Sequence, residues 1–457
     1  MSHFNHSVLK PDRVRRSRII PILDAALDAV HPVSAIRRFV QCSNGVLRIG
    51  TECYQLEQFE RVLVIGFGKA ATPMAQALQS LGLRLDDGII ITKYGHGPQN
   101  PATLAPLTVV EAGHPVPDAM GVAATHHAAE LARSATTNDL IITLISGGGS
   151  ALFTLPVPNV TLGDLQRTTE LLLASGATIN EINAVRKHLS QVKGGQLARL
   201  AAPATVISLI LSDVIGNPLD VIASGPTAPD PTTWADAWAV IEKYRLSESL
   251  PSAVKQHLQA GLGGEFAETP KPGHPIFQRV QMLIVGDNAI AAVAAQQAAV
   301  AQGFAATILS TFVQGEAREV ARVLVALGRE VVNNHRPLIP PACLILGGET
   351  TVTLHGRGRG GRNQEMALAA AIELAQIPEG TSIVIVTLAT DGTDGPTDAA
   401  GGVADATSVA RGVAAGLNAQ QHLMDNDAFP WLKTIDDMLV TGPTRTNVND
   451  LYLIFVF

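Results

Sequence analysis

The chain has 457 residues, of which 46% are hydrophobic, 16% charged and 4% aromatic, with a formal net charge of −7. It is too apolar to be disordered and too long for one ordinary core, so about two or three domains are expected, with cores built from Ala, Val, Leu and Ile. The acidic balance excludes a general nucleic-acid binder. Cys42, Cys53 and Cys343, with no CxxC pair, exclude a disulfide framework and a thiolate zinc site and fit a reducing, cytoplasmic setting.

Near its start the chain carries Arg13, Arg15, Arg16 and Arg18, but no apolar core and cleavage site follow them. Residues 18–30 read as an amphipathic helix, not a signal peptide, and no apolar run approaches the roughly 18 residues that would span a membrane. Strands are predicted at 61–66, 88–92, 108–111, 140–146, 205–211, 280–285, 305–309, 342–346 and 382–390. Helices are predicted between most of them, at 70–81, 119–133, 162–174, 289–302 and 316–333. This alternation argues for parallel α/β sheets with crossover connections. Residues 261–275 are rich in Gly and Pro and form the best linker candidate, which gives domains of 1–265 and 276–457.

Six strands end in glycines, acids and hydroxyls, where open α/β sheets place their ligands. GFGKAAT (66–72) resembles a dinucleotide turn, with Gly68 for close approach and Lys69 inside the turn. Asp86 falls about 20 residues after the first glycine, but it precedes the second strand, whereas a ribose-binding acid ends that strand. Lys69 is therefore read as a charge aimed at an anionic substrate or a transferring phosphoryl group. In SGGGSAL (146–152), Ser146, Gly147, Gly148, Gly149 and Ser150 follow a wholly apolar strand and make an anion nest before a helix.

NAVRKHLSQVKGGQLA (183–198) places residues 186, 189 and 193 on a similar helical face, and either Arg186 or Lys193 is a candidate for substrate contact. In SDVIGNPLDVIASGPT (212–227), Asp213 ends an apolar strand and is suited to hold Mg²⁺ or accept a hydroxyl proton, with Asn217 nearby. Asp287 and Asn288, after the 280–285 strand, are either helix caps or ligands. At 347–365, two glycines and Glu349 lead through an alternating segment, 350–354, into a Gly-rich loop with Arg357, Arg359 and Arg362. Glycines there would let the backbone approach a ligand, and the helix that follows offers N–H donors to an anion. ATDGTDGPTDAAGG (389–402), with Asp391, Asp394 and Asp398, reads as a loop near a metal–nucleotide site.

Taken in order, GFGKAA, SGGGSAL, NAVRKHLSQVKGGQLA, SDVIGNPLDVIASGPT, GGET…GRGGRNQE, ATDGTDG and LVTGPTRTNVNDLYL resemble the bacterial and archaeal glycerate 2-kinases with a C-terminal MOFRL-type domain. That family is often labelled hydroxypyruvate reductase. The resemblance runs from about residue 61 to the end of the chain. It implies a Rossmann-like N-terminal α/β/α domain with a parallel sheet, a smaller C-terminal α/β domain, and an active site in the cleft between them. It also implies transfer of the ATP γ-phosphoryl group to the 2-hydroxyl of D-glycerate, with Mg²⁺. The family's catalytic lysine, aspartate and arginine fall on Lys69, Asp213 and Arg362, and its Gly-rich loop on residues 146–150. ATP and D-glycerate are the expected partners, with no nucleic acid or membrane, and a homodimer is left open. The rival reading is an NAD(P)H-dependent hydroxypyruvate reductase, resting on the G-x-G-x-x-A pattern and the family's other label.

Overall fold

The strands of the first sheet are apolar along almost their whole length because the sheet is covered on both faces. In β4 (Arg61–Phe67), six of seven residues are buried, and in β7 (Asp139–Ile145) all seven are. The structure, a computed structural model, describes residues 2–4, 13–377 and 382–457. It divides into two units, Ala35–Val285 and a second made of the residues up to Ser34 with Gly286–Phe457.

The first unit opens with three short antiparallel strands, β1 (Val40–Ser43), β2 (Val46–Ile49) and β3 (Glu52–Gln55). Its main sheet adds β5 (Asp87–Lys93), β6 (Thr108–Ala112), β8 (Thr205–Leu211) and β9 (Val280–Gly286) to β4 and β7. The order is β6-β5-β4-β7-β8-β9, with β6 through β8 mutually parallel. Strand order reverses direction between β4 and β7, the crevice-forming switch point of a doubly wound sheet. At the opposite, N-terminal ends of these strands, buried Asp139 is gripped by Arg61 through Nε at 3.0 Å and Nη2 at 2.8 Å. A separate helical cluster packs Trp234 with Ile182, Val185, Ile241 and Leu258.

β9 was expected to open the second domain, but it lies beside β8 at the edge of the first sheet. The 261–275 segment is tied into the same unit: Asp230 N donates to Pro270 O at 2.9 Å, and Thr269 Oγ1 to the Asp230 carboxylate at 2.9 Å. The expected division at 265/276 thus falls inside the first unit, and composition alone did not reveal these contacts.

In the second unit, β10 (Ala305–Val313), β11 (Ala342–Gly348), β12 (Ile383–Ala389), β13 (Gly401–Asp405), β14 (Met438–Leu439) and β15 (Asp450–Val456) form a sheet of order β10-β11-β15-β12-β13-β14. Only the β10–β11 pairing is parallel, so the expected parallel arrangement is replaced by a mixed sheet. The C-terminal strand and β13 cause this, each running antiparallel to its neighbours. β15 runs antiparallel to both neighbours, with Val456 opposite Ala342 on one side and Ile383 on the other. The 350–354 segment forms no strand, only a single bridge from Thr351 to Glu316.

The helix Arg13–Val30 also belongs to this unit, five residues longer at its start than expected. Ile19, Ile22, Leu23, Ala26 and Val30 are buried, and the helix packs on Asn288–Ala301. Arg16, 2% exposed, bridges Asp405 at 2.8 Å and Asp437 at 2.6 Å. No single helix among the described residues is long and apolar enough to cross a membrane.

The helix Arg362–Leu374 begins at Gly361 without a side-chain cap of its own. Asp394 supplies one from a distant loop, accepting from Asn363 N at 3.1 Å and Gln364 N at 2.9 Å, and from both side-chain amides. A buried carboxylate at a helix N-terminus satisfies orphan N–H groups and complements the dipole. Asp394→Ala leaves those donors buried and unmade, so a loss of about 2 kcal/mol is expected in the unfolding step of the second unit. Urea unfolding followed by fluorescence checks this, and an unchanged midpoint would show that the cap contributes nothing.

Candidate active site at the sheet switch point

The turn after β4 and the loop after β7 are stitched together. Lys69 N donates to Gly147 O at 2.9 Å, Ala70 N to Ser146 Oγ at 3.0 Å, and Ser146 N to Phe67 O at 3.1 Å. The crossing is so close that a Cβ on Gly68 would lie 2.3 Å from Ser146 Oγ, and Gly68 has φ +121°, which also favours glycine. Gly148, at φ +82°, is the left-handed residue that starts the short helix Gly149–Leu152. The amides of Gly147 and Gly148 meet no acceptor among the described residues. They are free to receive an anion.

Asp213 follows β8 and packs on this loop: a Cβ on Gly147 would meet its Oδ2 at 2.2 Å. On the other side, a Cβ on Gly148 would meet the His114 ring at 2.9 Å and Lys69 Cγ at 3.5 Å. Lys69, the Ser146–Ser150 loop residues and Asp213 are thus brought together, as the sequence motifs anticipated. The ammonium of Lys69 has no ion-pair partner among the described residues. Asn217, at φ +54°, turns the chain after Asp213, with its amide donating to Val214 O at 3.1 Å.

The loop rests on a second layer. Ser150 Oγ is 2.8 Å from Ser224 Oγ, which donates to Asn183 Oδ1 at 3.0 Å. Lys193, 3% exposed, donates to Ser150 O at 2.7 Å and Phe153 O at 2.6 Å. Burial, with the Arg186 charge adding to it, pushes its pKa down to about 7. The expected shared helical face of 186, 189 and 193 is not present, because the helix ends at His188 and Lys193 lies in the turn beyond. The Arg186 side chain makes no hydrogen bond or ion pair among the described residues, and burial lowers its pKa. Lys187 is instead consumed structurally, by Asp220 and Asp230, each at 3.1 Å.

The nominal dinucleotide signal is also consumed structurally. Asp86 accepts from Val62 N at 2.7 Å and Arg84 Nε at 3.1 Å, and β5 ends in Lys93, not in an acid. A ribose-binding acid is therefore missing from the place where a nicotinamide reductase needs one.

In the second unit, Arg362 is the first residue of its helix and is already paired. Nε and Nη2 grip the Asp450 carboxylate at 2.6 and 3.1 Å, and Nη1 reaches Glu349 at 2.8 Å. Burial opposes the Arg362 charge, but Asp450 and Glu349 outweigh it and hold its pKa above the ordinary value. Burial pushes Asp450 up to about 6 against the pull of Arg362. Two guanidinium N–H donors remain for other partners. Asn288 pins the start of β15 by donating to Val448 O and Asp450 O, both at 2.9 Å. Asp287 caps the helix Asn288–Ala301, accepting from Ile290 N at 2.7 Å. Asp391 closes its own turn on Thr393 N at 3.0 Å.

The glycines of the arginine loop serve protein packing. A Cβ would strike Asp425 O at Gly356 (2.2 Å), Asp427 at Gly358 (2.3 Å) and Asp394 at Gly361 (2.3 Å). The close approach that sequence predicts is real, but these glycines approach a neighbouring loop of the chain.

His114 is the site residue that motif reading missed, although Gly-His-Pro directly after β6 is a strand-end signal of the same kind. Burial, then the charges of Lys69, Lys93 and His96, push its pKa down to about 4. The imidazole is therefore neutral at physiological pH and adds no charge beside Lys69. Its folded value lies below the unfolded value of about 6.5, so this group costs stability as pH falls through that window. We expect the His114 ring resonance to titrate near pH 4, and Lys69→Met to raise that midpoint. Histidine-selective NMR checks both; a midpoint unmoved by the substitution would separate the two side chains.

Comparisons with known proteins identify the family. Residues 19–259 match a domain of unknown function, DUF4147, and residues 342–450 match the MOFRL family. A glycerate 2-kinase of Pyrococcus horikoshii is 41% identical over 436 residues, covering 95% of this chain and 96% of its own. A D-glycerate 2-kinase of Thermotoga maritima is 42% identical over 437 residues, with coverage of 95% and 96%. The crystal structure of a glycerate kinase from Thermotoga maritima superposes with a TM-score of 0.86 at 40% identity, covering 97% of this chain and all of that one. The chain belongs to the glycerate 2-kinase family.

Proposed function

We propose that the switch-point site transfers the γ-phosphoryl group of ATP to the 2-hydroxyl of D-glycerate, giving 2-phosphoglycerate and ADP. The observation that carries this reading is the convergence of three unlike groups: the unpaired Lys69 ammonium, the open Gly147 and Gly148 amides, and the Asp213 carboxylate against Gly147. Phosphoryl transfer asks a protein for positioning and for neutralisation of developing negative charge. A bond forms between the 2-oxygen and Pγ while the bond from Pγ to the β-phosphate oxygen breaks. Lys69 and the glycine amides meet the charge on the phosphoryl oxygens. Asp213 orients the attacking hydroxyl and takes its proton, or supplies a protein oxygen to Mg²⁺.

Among the described residues no group of three His, Cys, Asp or Glu could hold a metal. That suits Mg²⁺, which keeps most of its waters and enters through one or two carboxylates plus the substrate's phosphates. Asp213 is the residue that would hold the ion, which when bound would supply charge neutralisation at the phosphates. Arg186, desolvated and with no side-chain partner among the described residues, is the second cation offered to a substrate anion. Arg362, oriented within its own unit by Asp450 and Glu349, keeps two N–H donors with which to meet an anion. The cytoplasm is the proposed location, in keeping with three unpaired thiols.

Incubation with ATP, Mg²⁺ and D-glycerate should yield 2-phosphoglycerate, read through enolase. NAD(P)H oxidation with hydroxypyruvate and no ADP formation would overturn the proposal. Lys69→Ala is expected to lower kcat/KM by on the order of a hundredfold or more, the usual loss for a preorganised charge-stabilising group. Gly147→Ala should be comparably damaging, because its methyl displaces the Asp213 carboxylate. Far-UV circular dichroism checks that both variants fold, and near-normal turnover in either removes that feature from the mechanism.

A further inference from the structure

The second unit carries a cavity of about 680 Å³, lined in part by Arg359, Lys433, Phe429, Gly395, Gly442 and Asp398. Four segments line it, around residues 359, 392–398, 429–433 and 442–443. Arg359 N donates to Asp427 at 2.8 Å and Phe429 N donates to Arg359 O at 2.9 Å, which fixes the arginine loop on the 425–433 segment. A Cβ on Gly395 would lie 2.3 Å from Gly360 O, which fixes the 391–398 loop on the same arginine loop.

Two cations converge on one buried ring: Arg359 Cζ lies 4.7 Å, and Lys433 Nζ 5.7 Å, from the Phe429 centroid. Neither cation has a carboxylate partner among the described residues, and both side chains are exposed to the cavity's solvent. The ring holds them in place without neutralising them. Gly395 and Gly442 have left-handed φ, +62° and +68°, and their amides meet no acceptor among the described residues. The lining therefore offers charge and N–H donors to an anion. Asp398 adds an exposed carboxylate with no partner among the described residues, an acceptor for hydroxyl groups. A bare anion gains nothing from Asp398, whereas a phosphorylated sugar is matched by the whole set. The volume falls in the roughly 300–1,000 Å³ range of drug-sized ligand sites, far more than a three-carbon acid fills.

We propose that this cavity binds an adenine nucleotide, with Arg359 and Lys433 on its phosphates and Asp398 on its ribose hydroxyls. The proposal rests on the kinase reading above, which supplies ATP and ADP as the nucleotides. It gives Arg359 a binding function distinct from that of Arg362, whose charge is already met within the protein.

The test uses full-length protein, with ADP binding measured by calorimetry and initial rates measured with ATP and D-glycerate varied separately. The double variant Arg359→Gln, Lys433→Gln removes two exposed charges and should fold, which a melting curve checks. It is expected to weaken ADP binding at least tenfold and to raise KM for ATP similarly, with KM for D-glycerate unchanged. Asp398→Asn should weaken ADP more than inorganic pyrophosphate, which has no ribose. Unchanged ADP affinity in the double variant would overturn the cavity assignment while leaving the kinase reading intact. Wild-type protein that neither binds ADP nor turns over ATP would remove the kinase reading and, with it, this proposal.

Discussion

The first unit's chemistry depends on one constraint: β4 and β7 are neighbours at the point where the sheet reverses its winding. Helices that follow two adjacent parallel strands leave to opposite faces at such a point, so the strand ends stay uncovered. The glycines at 68, 147 and 148 are the local consequence. Two turns cross there with backbone against backbone, joined by Lys69 N to Gly147 O at 2.9 Å; a side chain on Gly68 would strike Ser146, one on Gly147 the Asp213 carboxylate and one on Gly148 the His114 ring. Once the crossing is made, Lys69 and Asp213 lie on either side of the same loop without further adjustment. The deeper layer, Lys193 on the carbonyls of Ser150 and Phe153, makes the loop rigid from below. Preorganisation of this kind lets amides and charges act on a transition state without paying to reorient.

Local patterning made much of this legible. Strand and helix periods, and the Gly-rich strand ends, depend on residues close in sequence, and all nine predicted strands are present near their expected bounds. What escaped is non-local. The run LYLIFVF gives no sign of which strands it will enter, yet β15 inserts antiparallel between β11 and β12. The N-terminal helix shows an apolar stripe but not its partner, the helix Asn288–Ala301. Asp394 looked like a metal-loop acid because three aspartates close together favour that reading. Its actual partners lie 30 and 31 residues upstream, at the start of another helix. Glycines raise the same difficulty: sequence predicts a close approach but not what approaches, which is the crossing turn at Gly68 and a neighbouring loop at Gly356 and Gly358.

Arginine and lysine show where charge arguments gain force from structure. In sequence, Arg357, Arg359 and Arg362 differ only in position, and Arg186, Lys187 and Lys193 form one basic cluster. The fold separates them by what each cation meets. Arg16, Lys187 and Arg362 are bound to buried carboxylates, so their charges are largely spent on structure. A buried pair of this kind costs desolvation that its attraction roughly repays, and losing one partner strands the other. Arg186 has no carboxylate partner among the described residues and is desolvated, an arrangement that is unfavourable for a lone cation.

This contrast separates two arginines of the same loop by how each is held. Its helix-proximal arginine is fixed by Asp450 and Glu349, and a rigid fork of that kind places its two remaining donors with little loss of side-chain freedom. Arg359 is fixed differently, by an aromatic face that orients a guanidinium without neutralising it. In a chain of net charge −7, cations kept unneutralised in this way are the ones with charge left for a ligand. The loop's glycines permit both outcomes, because they pack the backbone tightly enough on residues 425–428 and Asp394 to hold the two arginines at fixed positions.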